Sequence, residues 1–273
     1  MDAPLPFTYL PPDPPARPIL AASPHSGAHY PDELTAASRL QGAALRASED
    51  CFVDEIAAPL PSGGVGLLLA RVARAYLDVN RDPRELDPML FAEPLPADAL
   101  SDTVNIRSGL GVVARVVASG QALYHRPPTL ADARRRIAAV HAPYHQALSE
   151  AIDQTCRRFG QCLLLDLHSM PSGAAPVDVV LGDCHGESCL PAVIEAADAF
   201  LTDQGFRVGR NHPYAGGYTT RLYGRPPSGV QALQIELSRR LYMDEARLER
   251  RPGIERLKTC LLQMVARLEA HLR

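Results

Sequence analysis

A single α/β domain, with a mixed, mostly parallel sheet covered by helices on both faces, is the fold this sequence predicts. Two observations carry that reading. Short apolar runs alternate with longer segments of helical period, the order that sets parallel strands between helices. The 273 residues, 46% of them hydrophobic, contain no internal repeat and no linker-like break, and one α/β core can accommodate that length.

Along the chain, residues 1–18 come first. They hold seven prolines and little apolar pattern, so an extended arm is expected there, with the domain spanning 19–273. Residues 19–22 read as a short buried strand. Pro31 suits the first position of a helix reaching about Ala47. Residues 66–70 and 75–79 read as strands, the second ending in the turn Asn80-Arg81-Asp82-Pro83, and 111–117 is a further β-branched run. Thr129 is a good N-cap for the longest helix, and Gly160 a good C′ residue after Phe159. Residues 163–167, 177–181, 206–208 and 230–237 read as strands, and 191–204 as a helix. The terminal helix, 252–272, carries Ile254, Leu257, Leu261, Val265 and Leu268 close to a 3.6-residue period.

Bulk properties exclude some functions. A net charge of -3 gives no basic stripe for nucleic acid and no attraction to an anionic membrane. No apolar run approaches the ~20 residues of a membrane span. The proline-rich start lacks the basic and apolar regions of a signal peptide. The six cysteines show no tight pairing pattern, so reduced thiols in a cytoplasmic protein are expected. Cys184 and Cys189 bracket His185, but no second pair lies nearby to complete a metal knuckle.

The chemistry rests on a few polar residues in apolar surroundings. His25, in Ser23-Pro-His-Ser-Gly27, follows a buried run directly and so stands at a strand's carboxyl end, where open α/β sheets bind ligands. His168 repeats the arrangement after residues 163–167. Asp166, two residues back, shares its side of the strand and could orient an imidazole. Glu236 is a lone acid among Leu233, Ile235 and Leu237. It must pair with an arginine or face a polar cavity, where it could serve as a general base. Two imidazoles and a carboxylate are parts of a catalytic zinc site, which needs three protein ligands and an open position. His-x-x-Glu spacing is absent, because residue 28 is alanine. Asp54, Glu33 and Asp32 are therefore all open as the third ligand. Asn80-Arg81 could present a fork of donors to a carboxylate. Arg221 follows the glycine-bearing loop Tyr214-Ala-Gly-Gly-Tyr218. His141 and His145 have a chelating i, i+4 spacing, but Ala142 stands where the metalloprotease motif has glutamate.

Seven segments then point further: Ser23-Pro-His-Ser-Gly27, Asp54 in Phe-Val-Asp-Glu, Asp78-Val-Asn-Arg-Asp82, Asp166-Leu-His-Ser-Met170, Leu181-Gly-Asp183, Asn211-His-Pro-Tyr-Ala-Gly-Gly-Tyr218, and Gln234-Ile-Glu-Leu-Ser-Arg-Arg-Leu-Tyr-Met243. Together, over residues 19–245, they resemble the N-formylglutamate amidohydrolase family in order and content. The resemblance implies a fold like that of zinc carboxypeptidases and the aspartoacylase group, phosphorylase/hydrolase-like, with eight strands or a similar number. It implies hydrolysis of N-formyl-L-glutamate to formate and L-glutamate, late in histidine breakdown. It further implies one zinc ion held by His25, Asp54 and His168, with Glu236 as the catalytic acid/base. Asn80 and Arg81 are then expected on one substrate carboxylate and Arg221 on the other. The expected partner is a small acidic amide, and a homo-oligomer is left open. The competing readings are a zinc deacylase or carboxypeptidase acting on another N-acyl amino acid or small peptide, and a non-catalytic metabolite-binding relative.

Overall fold

The computed structural model describes residues 5–272. In chain order it forms β1 (Phe7–Leu10), β2 (Ile19–Ser23), α1 (Asp32–Ala37), α2 (Gly42–Leu45), α3 (Val53–Ala57), β3 (Gly66–Ala70), α4 (Val104–Arg107), α5 (Leu130–Arg136) and α6 (Ala142–Phe159). Next come β4 (Cys162–Met170), β5 (Val179–Gly182), α7 (Pro191–Asp203), β6 (Val208–Arg210), α8 (Tyr218–Tyr223), β7 (Val230–Ser238), β8 (Met243–Asp244), β9 (Glu249–Arg250) and α9 (Gly253–Glu269). Seven strands make one sheet in the order β1-β3-β2-β4-β7-β5-β6, and β8 and β9 form a separate ribbon. β2 pairs parallel with β3 and β4, β4 with β7, and β5 with β6, while β5 and β7 are antiparallel. This is the mixed, mostly parallel sheet expected from the alternation of elements.

The chain divides into two compact units. One comprises residues 9–23, 50–69 and 148–273, and holds nearly all of the sheet. Its core follows the two-residue period of the strands. Leu163, Leu165 and Leu167 of β4 and Leu233, Ile235 and Leu237 of β7 face one side with Ile19 and Ala21 of β2. They pack against Val53 and Ile56 of α3, Val193 and Ala197 of α7, and the apolar stripe of α9. Each such side chain contributes roughly 1.5–3 kcal/mol on burial. Truncating Leu165 to alanine would cost about 2–5 kcal/mol, because the sheet cannot collapse around the void. On the other face α8 packs on β7 and β4.

Among the described residues the second unit comprises 5–8, 24–49 and 70–147 and is largely irregular backbone. Buried polar pairs hold it. Arg115 Nε donates to Asp87 Oδ2 at 2.8 Å, and Glu85 accepts from Thr103 Oγ1 at 2.6 Å and from the Asn105 amide. Arg136 stacks 4.2 Å over the Tyr76 ring and donates to Tyr124 Oη.

Several expectations shift. The proline-rich arm enters the sheet at β1, and residues 1–4 lie outside the described residues. The helix expected over 31–47 breaks after Ala37. There the Ser38 hydroxyl bonds both backbone groups of Leu40 and competes with helical bonding. Residues 75–79 and most of 111–117 are buried but form no strand. Scattered bonds tie them, among them Asp78 N to Val112 O and Val112 N to Glu85 O. The long helix is confirmed, with a capping box at Thr129 and Gly160 at φ +76°. It contains a π-helical turn over Ile137–His141. Pro143, without an N–H and with its ring directed at the carbonyl four residues back, supplies a local reason for that turn.

Candidate metal centre and active site

In the sheet unit, β4 and β7 pair in parallel over nine residues, with Asp166 level with Gln234 and His168 level with Glu236. These four side chains share the face opposite the leucine-rich core. All four are buried. Glu236 therefore lies within its strand as expected, and His168 also lies within its strand, one residue past the expected end of its apolar run.

His168 is gripped from two sides. Its Nε2 lies 3.0 Å from Asp166 Oδ1, and its Nδ1 lies 3.1 Å from Asp50 Oδ2. Asp166 is itself held, accepting from Thr220 Oγ1 of α8 at 2.9 Å. Asp50, just before α3, accepts at Oδ1 from Ser169 Oγ at 3.1 Å and from Arg239 Nη2 at 3.4 Å. Gln234 Nε2 donates to Glu236 Oε1 at 3.1 Å, and Gln234 Oε1 accepts from Gly217 N at 2.7 Å. That last bond caps the start of α8. Burial alone would push the His168 imidazole down, but Asp166, Asp50 and Glu236 outweigh it and hold its pKa well above the usual histidine range. Three carboxylates around one imidazole make a buried region that favours a cation.

The other unit supplies a matching arrangement. His25 follows two residues after β2, and Gly27 crosses so close to the next loop that a Cβ there would stand 2.4 Å from Val72 O. His25 Nε2 lies 2.7 Å from Asp78 Oδ1. Asp78 also accepts from Arg74 Nη2 at 2.6 Å and from the Asn80 backbone N–H at 2.9 Å. Burial works to raise its pKa. Arg74, His25 and Arg81 overcome that and keep the carboxyl well below the usual range. Each histidine thus has a buried carboxylate on Nε2, which fixes ring orientation and directs Nδ1 to other work.

The other expected residues fall in varied places. Asp54 lies in the first turn of α3, where it adds to the negative charge felt by Arg250. The acid of this segment that bonds His168 is Asp50, four residues earlier. Glu33 is exposed and ion-paired with Arg135, and Asp32 is exposed at the start of α1. Asn80 is buried, and Arg81 donates from Nε to Leu110 O and from Nη1 to Asn80 O, both at 2.9 Å. Arg221 is exposed on α8 and makes no ion pair with a carboxylate among the described residues. The Cys184 and Cys189 thiols are buried, and burial raises both pKa values, that of Cys189 to about 12. Sequence reasoning misses Asp50, Asp78, Gln234, Thr220 and Arg239 as site residues. Gln234 is within its reach, since it lies one strand period from Glu236, and Asp78 stands inside one of the seven matching segments.

Comparison with known proteins gives consistent matches. A family model described as N-formylglutamate amidohydrolase matches residues 17–243. An N-formylglutamate deformylase of Pseudomonas aeruginosa is 29% identical over 238 residues, covering 84% of this chain and 83% of that protein. Its counterpart in Pseudomonas putida is 26% identical over 238 residues, covering 84% and 82%. The crystal structure of N-formylglutamate amidohydrolase from Ralstonia eutropha JMP134 superposes with a TM-score of 0.91 at 35% identity, over 98% of both chains. A gene product of Agrobacterium tumefaciens, at 18% identity and a TM-score of 0.68, shares the fold.

Proposed function

The chain belongs to the N-formylglutamate amidohydrolase family, and we propose that it is a zinc-dependent enzyme that hydrolyses N-formyl-L-glutamate to formate and L-glutamate. The observation that carries this reading is the pair of buried imidazoles, each backed on Nε2 by a buried carboxylate, with Glu236 level with one of them.

His25, Asp50 and His168 are buried and offer two imidazole nitrogens and one carboxylate oxygen, the donor set of a catalytic zinc. Asp50 takes the place expected for Asp54. Its 3.1 Å approach to His168 Nδ1 supports this. The His168 imidazole and the Asp50 carboxylate would hold the ion side by side. When bound, zinc supplies Lewis acidity, polarising a carbonyl and bringing the pKa of water toward ~7.

The chain's own residues do the rest. Glu236 accepts a proton from the attacking water, held in its aim by the Gln234 amide. Oxygen adds to the formyl carbon, the C–N bond breaks, and Glu236 returns the proton to the departing nitrogen. Asn80 and Arg81 bind one substrate carboxylate, and Arg221, uncommitted to any acid, suits the other. Cysteine side chains that are mostly buried, with no disulfide among the described residues, support a reducing, cytoplasmic setting. Among the described residues no helix is long and apolar enough to cross a membrane.

The test is metal analysis of the purified protein with a formate-release assay. One equivalent of zinc is expected, with activity lost to a chelator and restored by zinc. Zinc-loaded protein that releases no formate overturns the proposal. Faster turnover of N-acetyl-L-glutamate or of a dipeptide would move the reading to a related deacylase or peptidase.

A further inference from the structure

His141 and His145 are the motif that the proposed chemistry leaves unused. They stack with ring centroids 4.3 Å apart on the long helix, His141 in the π turn and His145 one turn later. Both Nε2 atoms face backbone carbonyls of one short segment: His145 lies 2.7 Å from Val79 O and His141 lies 2.9 Å from Arg81 O. A neutral imidazole meets a carbonyl as an N–H donor, so both rings carry their proton on Nε2. Burial lowers the His141 pKa, against the pull of the Arg81 carbonyl and of Asp78 and Asp82.

The carbonyl between them, Asn80 O, accepts from Arg81 Nη1. Three successive carbonyls, of residues 79, 80 and 81, are therefore each held by a side chain. The Asn80 N–H is held as well, by Asp78 Oδ1. This segment reads as a strand end in the sequence, yet it has no ladder partner. Side chains do for it what a neighbouring strand does elsewhere. The π turn matters because an added residue in a helix rotates the downstream turns by about 100°.

We propose that His141 and His145 are positioning residues. They form a clamp that fixes the backbone of Asn80-Arg81 and so sets the geometry with which that pair reads a substrate carboxylate. The proposal rests on the carboxylate-binding role proposed for Asn80 and Arg81. It assigns to the helix a specificity function, exerted through two peptide carbonyls without contact to substrate. Pre-organisation of this kind lowers the ordering cost of binding and is lost when the support is removed.

The experiment compares His141→Ala and His145→Ala with His141→Gln and His145→Gln, since glutamine can place an amide N–H near the position of Nε2. Hydrogen exchange of the peptide spanning residues 76–84 is followed in each full-length protein, with kcat, KM and zinc content. The alanine variants should exchange faster there and show a KM for N-formyl-L-glutamate raised about tenfold, the loss expected when one buried hydrogen bond goes. Their kcat should stay within about threefold and their zinc near one equivalent. The glutamine variants should recover both exchange protection and KM. Unchanged exchange and KM in the alanine variants overturns the clamp. A loss of zinc, kcat and exchange protection across the whole protein, unrelieved by glutamine, also overturns it and leaves only a structural role. Arg81→Ala is run alongside: if its KM is unchanged while the histidine variants still loosen residues 76–84, the carboxylate assignment fails and the clamp stands as a backbone device.

Discussion

Replacing Asp50 by asparagine separates the two acids that compete for the third ligand position. The change keeps the shape of the side chain and removes its charge. The Asp50 carboxylate meets His168 Nδ1 at 3.1 Å, Ser169 Oγ at 3.1 Å and Arg239 Nη2 at 3.4 Å. The contact to Ser169 is neutral on the donor side and survives in asparagine's carbonyl oxygen. The other two involve cationic or cation-seeking partners. A charge-assisted hydrogen bond contributes about 1.5–3 kcal/mol against about 1 for a neutral one, so each drops by roughly 1 kcal/mol. The metal-free protein should therefore lose about 2 kcal/mol. Arg239 is buried, donates from Nε to Ser169 Oγ at 3.2 Å and has Glu245 at 3.9 Å. The effect on metal should be larger than the roughly 10- to 100-fold typical of residues that only support a ligand. The assay is zinc content after equilibrium dialysis against a zinc buffer, with urea denaturation of the chelator-treated protein. Asp54→Asn serves as the control and should retain near-normal zinc. An Asp50→Asn protein that holds zinc as tightly as wild type, or an Asp54→Asn protein that loses it, refutes the reasoning.

Other expectations are more direct. Glu236→Gln should abolish formate release while zinc stays near one equivalent; lost zinc would make Glu236 a ligand. Native protein treated with a thiol reagent at pH 8 should label Cys156 first, because the other five cysteines are buried and Cys162, Cys189 and Cys260 have strongly raised pKa values; fast labelling of several thiols would contradict the packing. Asp178 is pushed up by burial but held down to about 2 by Arg207 and Arg240. Its folded pKa is thus below its unfolded value of ~3.9, so its contribution is present above pH ~4 and disappears as pH falls toward 2. Solvent screening reduces that contribution to about 1 kcal/mol. Asp178→Asn should cost that much at pH 7 by urea denaturation, with the gap closing between pH 4 and 2; a gap independent of pH would assign the effect to something other than charge.

Legibility in the sequence depends on distance along the chain. Glu236 is readable because β7 carries its own contrast, one acid among leucines and isoleucine. His168 and Asp166 are readable together through the two-residue period of a strand. The third acid is not. Asp50 and Asp54 sit on one short segment, and the choice turns on where α3 begins. Phe52, at φ 66°, breaks the backbone there without the glycine that would announce it. Asp78 escapes notice as a histidine partner because only tertiary structure decides which carboxylate meets which ring. Residues 75–79 resemble a strand in sequence because they are apolar enough to be buried. The carbonyls of Tyr76 and Val79 meet the side chains of Arg136 and His145 instead, which no periodicity reveals.

The nine paired residues of β4 and β7 carry a consequence for variation. Sliding β7 by a single position would turn its core residues Leu233, Ile235 and Leu237 toward α8 and carry Glu236 to the wrong side. Alignment of Glu236 with His168 is thus enforced by hydrocarbon, and a misaligned pair would also mean a misfolded protein. Surrounding loops can change length and drift toward other acyl substrates without disturbing that alignment. An insertion or deletion of one residue inside either strand cannot be absorbed in the same way, so new specificities in this scaffold should arise at its loops while the interior of these two strands keeps its length.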